Sequence, residues 1–131
     1  MRDECYLSIM GNYRKGWALR YMREAKAELL AAQKTPSIAN SLILEAMRKA
    51  QAAIYYSLGD PAFIESIVYQ AFYNPQQSAE EPVLKCLIEI ERTIQRLSQT
   101  PETEFTNTIE QVNDIVRIAS DIVELFTGEK A

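Results

Sequence analysis

The chain of 131 residues carries 14 basic and 18 acidic side chains, for a net charge of −4, and 47% of it is apolar. That is enough for one core, so a single domain spanning 1–131 is expected. The acidic balance argues against a phosphate-tracking surface, although a local basic patch can survive within it. The chain contains no histidine, the side chain whose ordinary pKa lies nearest neutrality.

The opening stretch "MRDECYLSIMGNYRKGW" is charged from the start and lacks the apolar run of a secretory signal. No stretch of about 18 uncharged apolar residues is available for a membrane span. Cys5 and Cys86 lie far apart and form no CxxC unit, which speaks against a zinc site or a disulfide framework. These features predict a cytoplasmic protein with reduced thiols, no membrane association, no metal and no cofactor.

In chain order, the first helix is expected over about 12–33, with Ala18, Met22, Ala25, Leu29 and Ala32 in 4-3-4-3 spacing. Thr35-Pro36, Asp60-Pro61 and Thr100-Pro101 each place a good N-cap residue before a proline suited to the first helical position. The second helix, about 36–58, is apolar at Ile38, Leu42, Ile43, Leu44, Ala46, Met47, Ala50, Ala53, Ile54 and Leu58. Such a helix packs on more than one side. A short third helix covers about 61–72. Ser78 and Glu81 have capping-box spacing for a fourth near Pro82, whose core stripe is Val83, Leu87, Ile90, Ile94 and Leu97. The last helix carries Phe105, Ile109, Val112, Val116, Ala119, Val123 and Phe126, with a second stripe at Ile115, Ile118, Ile122 and Leu125. Gly59 and Gly128 are placed for positive-φ helix C-caps. No segment alternates with period two. The expectation is an all-α, up-and-down bundle of four main helices with one short helix inserted.

The run from Trp17 to Pro61 resembles the first half of HEPN-type domains, which open on an aromatic residue and an A-x-x-x-L helix. The matching features are Trp17, then Ala25 and Leu29, then Ala46, Lys49, Ala50, Ala53 and Gly59. An archaeal helical-hairpin family of unknown function shows similar patterning. The HEPN resemblance implies pairing through helices and a small nucleotidyltransferase as a possible protein partner. Many HEPN proteins are similar to toxin ribonucleases with an Arg-x4-6-His motif in the last helix. Arg117 matches the arginine, but Ile122, Val123 and Glu124 stand where the histidine belongs, so ribonuclease chemistry of that type is not expected.

Two clusters remain. Arg14, Lys15, Arg20 and Arg23 interleave with Tyr13, Trp17 and Tyr21, a pattern that fits a ligand or nucleic-acid patch; packing of the first helix is the simpler reading, and nucleic acid is not expected as a partner. Tyr55, Tyr56, Phe63, Tyr69, Phe72 and Tyr73 supply more aromatic surface than a short helix hides. Tyr69, Phe72 and Tyr73, with the second stripe Ile115, Ile118, Ile122 and Leu125, form the candidate interface of a homodimer. The pairs Glu24/Glu28, Glu89/Arg92 and Glu91/Arg92 read as solvated helix faces, and Cys86 as a half-buried thiol without an activating base. The function expected is non-enzymatic self-association and binding of a protein or nucleotide partner. The rival is an RNA-processing factor or nucleotide-binding enzyme acting through the first helix.

Overall fold

The computed structural model describes residues 2–74, 81–99 and 108–131. Among these residues, five α-helices run in the order α1 (Arg2–Lys34), α2 (Ala39–Leu58), α3 (Pro61–Tyr73), α4 (Pro82–Gln99) and α5 (Thr108–Thr127), with a 3-10 turn at Pro36–Ile38. No strand occurs among the described residues. The all-α bundle of four long helices and one short one is the architecture the periodicity predicts.

α1 begins ten residues earlier than its stripe suggests, because nothing before Pro36 forbids a helix: Gly11 and Gly16 weaken it without breaking it. The start at Thr35-Pro36 differs from expectation. Pro36–Ile38 forms a 3-10 turn, in which the Ile38 N–H donates to the Thr35 carbonyl at 3.2 Å. The α-helix proper opens at Ala39 behind Ile38, which offers no side-chain cap. Asp60 behaves as predicted, its Oδ1 accepting the Ala62 N–H at 3.0 Å with Pro61 in the first turn. At α4, Glu81 itself caps the helix by accepting the Leu84 N–H at 2.7 Å. Ser78, the Thr100-Pro101 start and Phe105 lie outside the described residues. Gly128 has the left-handed φ of 76° expected of a C-cap, and its N–H donates to the Glu124 carbonyl at 2.8 Å. Gly59 instead adopts extended backbone.

A single cluster of buried side chains draws on all five helices. α1 and α2 form the most extensive pairing. Ala18, Ala25 and Ala32 on α1 and Ala46, Ala50 and Ala53 on α2 are all buried, and their small side chains permit close approach of the two helices. α2 also touches α3, α4 and α5, which accounts for its broad apolar circumference. The expected stripes of α1, α4 and α5 are buried apart from half-buried Val83 and Ile109 and exposed Phe126. α3 packs on α2 and α4 and buries only Val68 and Ala71. Among the described residues, no helix is long and apolar enough to cross a membrane.

Candidate functional site

The basic-aromatic patch of α1 resolves into a ladder of rings in which two of the four cations, Lys15 and Arg20, are ion-paired. Tyr13, Trp17 and Tyr21 recur every four residues and so share one helix face. Trp17 and Tyr21 lie 5.6 Å apart between ring centroids, and Tyr56 of α2 meets both, at 6.4 and 5.7 Å. Tyr56 is the ring that sequence reading misses here, having been grouped with α3. The Arg20 guanidinium sits 5.1 Å from the Trp17 ring and pairs with Glu24 at 3.5 Å. Lys15 pairs with Glu129 at 3.2 Å. Arg14 is half-buried beside the C-terminal end of α2, where a Cβ on Gly59 would lie 3.8 Å from its Nη1. Arg23 is exposed.

Arg14 and Lys15 line a cleft of about 380 Å³ with Tyr56, Ser57, Gly59 and Thr127. Two helices, α2 and α5, end at this cleft, and each C-terminus carries roughly half a negative charge. Those partial charges and the Glu129 carboxylate balance the two cations.

Two acidic groups depart from the solvated faces expected of them. Glu24, Glu28 and Glu45 converge on the Lys49 ammonium, Glu24 at 3.5 Å, Glu45 at 3.3 Å and Glu28 in direct hydrogen bond. The hydrogen bond from Lys49 to Glu28 holds the ammonium well above its ordinary range, while burial raises the Glu28 carboxyl despite the lysine. Glu91 is only 6% exposed, and its carboxylate accepts Gln51 Nε2 at 2.6 Å and Gln95 Nε2 at 3.2 Å. Close by, the buried Tyr55 hydroxyl has no partner among the described residues, and burial followed by the Glu91 charge pushes its pKa up. Glu89 and Arg92 do form the exposed pair expected, at 2.9 Å. Cys86 is half-buried, and burial raises its thiol, which disfavours the nucleophilic thiolate. No group of three or more potential metal ligands occurs among the described residues.

The candidate interface residues separate by burial. Ile115 is buried and Ile122 half-buried, while Ile118 (46%) and Leu125 (75%) stand in solvent. On α3, Tyr69 and Tyr73 are exposed and Phe72 is half-buried, its ring edge-on to Tyr73 at 5.1 Å. The candidate interface omits three further exposed side chains: Phe63 (64% exposed), noted in the sequence only within the aromatic surplus, Ile67, and Phe126 (48%), read there as part of the core stripe. Ile67 and Phe126 line an almost wholly apolar groove of about 390 Å³, whose other walls include Leu58, Ile64, Val83 and Leu84. Phe126 falls in register with the core stripe, yet it lies in the last turn of α5, where the stripe runs out into this groove.

Comparison with protein-family models, with curated proteins and with solved structures finds no match for this chain.

Proposed function

We propose that this chain is a cytoplasmic, non-catalytic association module of HEPN-like build, and that the apolar face formed by α3 and the end of α5 is its working surface. One observation carries the proposal: α3 has thirteen residues, a single charge at Glu65, and only two buried side chains. Exposed apolar side chains in this number on one short helix are kept by soluble proteins mainly for docking when they join into a patch. α5 supports the reading, because Ile118, Ile122 and Leu125 share one helix face that continues toward the groove at Phe126. α3 packs principally on α2 and α4. A Phe63→Asp variant should keep its helix content and lose self-association in size-exclusion chromatography with light scattering. Tyr13→Asp, a charge at an equally exposed ring of α1, should associate as the wild type does. Equal association of both variants would refute the assignment of the face.

The basic-aromatic ladder is read as structural support for the α1–α2 seam. With Lys15 and Arg20 paired and Arg14 set against a helix end, few cations remain to release counterions from a nucleic acid. Binding of single-stranded RNA at physiological salt, followed by fluorescence anisotropy, should be weak, and Arg20→Glu with Arg23→Glu should change it little. Tight, steeply salt-dependent binding that these substitutions abolish would favour the RNA-processing alternative.

A further inference from the structure

The geometry points to a second copy of this chain as the occupant of the groove, with Phe63 of each α3 seated between α3 and α4 of its partner about a two-fold axis. This inference rests on the association reading above.

Three observations support it. First, a two-fold interface must be self-complementary, and this surface holds both halves of such a contact. The protruding part is Phe63, one turn from Ile67, and the receiving part is the groove that Ile67 itself borders, walled by Leu58, Val83 and Leu84. Second, the chemistry matches. The groove's single charged lining residue is Glu81, already engaged in capping α4. An occupant must therefore be uncharged and apolar, as the segment "AFIESI" at the start of α3 is apart from Glu65. Third, the area is right. Taking about 200 Å² for a fully exposed ring and slightly less for a branched aliphatic chain, Phe63, Ile67, Ile118, Leu125 and Phe126 present about 500 Å² before the groove walls are counted. With a polar rim, that approaches the roughly 800 Å² per partner of a standard interface, and it lies toward the upper end of the largest patch a typical monomer shows.

The test mixes two single-cysteine chains in a background where Cys5 and Cys86 are replaced by serine. One chain carries Phe63→Cys and the other, distinguished by mass, carries Leu84→Cys. Mild oxidation should yield a hetero-linked dimer, because the thiol introduced on α3 of one chain meets the thiol introduced in the groove of the other. The link should be lost when Ile67→Asp is added. Val83→Cys serves as the second groove probe should Leu84→Cys disturb the fold. A protein that is dimeric by sedimentation yet gives no hetero-link with either groove substitution would overturn the seating of α3 and leave the association reading intact. A protein that is monomeric as well would overturn both.

Discussion

Replacing Lys49 with methionine is expected to destabilise the protein by about 2 kcal/mol at neutral pH. Methionine keeps most of the aliphatic packing and removes the ammonium on which Glu24, Glu28 and Glu45 converge. Stripping one partner from a fully buried pair costs about 3–5 kcal/mol. Here the lysine side chain is 23% and the Glu28 side chain 17% exposed, and solvent screening lowers the figure. The pH dependence has a definite sign. Burial already holds the folded Glu28 carboxyl above its ordinary value of 4.5, and loss of the lysine raises it further, so the folded variant binds a proton more readily than the unfolded chain does. The deficit should therefore shrink as pH falls from about 7 to about 5. Urea unfolding at the two pH values checks this, and a loss equal at both would contradict it. In the wild type, the raised Lys49 keeps its contribution through neutral pH and loses it only in strong alkali.

The second large effect is at Glu91. Gln51→Leu removes the closer of the two amide donors to a buried carboxylate, and should cost about 2 kcal/mol, the scale of a hydrogen bond to a charged group. Glu91→Met added to Gln51→Leu should recover most of that loss, because an apolar pair needs no donor. A double-mutant cycle measured by denaturant unfolding should show coupling of about 1 kcal/mol or more. Simple additivity would mean that the carboxylate does not depend on Gln51.

These two sites show where the sequence could be read and where it could not. Helix periodicity locates the core of α1, α4 and α5, because a stripe such as Ala18, Met22, Ala25, Leu29 and Ala32 needs only the 3.6-residue turn to be recognised. Asp60-Pro61 is equally local and equally legible. Glu24, Glu28 and Glu91 look like ordinary surface acids because their partners lie on another helix: Lys49 is 21 residues beyond Glu28, and Gln51 is 40 residues before Glu91. Spacing within one helix cannot reveal which face meets which. The aromatic surplus between Tyr55 and Tyr73 is visible in the sequence, but its division is not. Tyr55 is buried, Tyr56 turns toward Trp17, and Phe63 faces solvent, an outcome set by how α2 meets α1 and how α3 packs on α2 and α4. The residues of the HEPN resemblance have a plain local role: Ala46, Ala50 and Ala53 are buried in the core, and Lys49 gathers its carboxylates.

Sedimentation equilibrium of the unmodified protein at tens of micromolar tests the association reading most directly. The α3–α5 face predicts a species of about twice 14.9 kDa that dissociates on dilution and becomes monomeric in Phe63→Asp. A single species of 14.9 kDa across that range would contradict it.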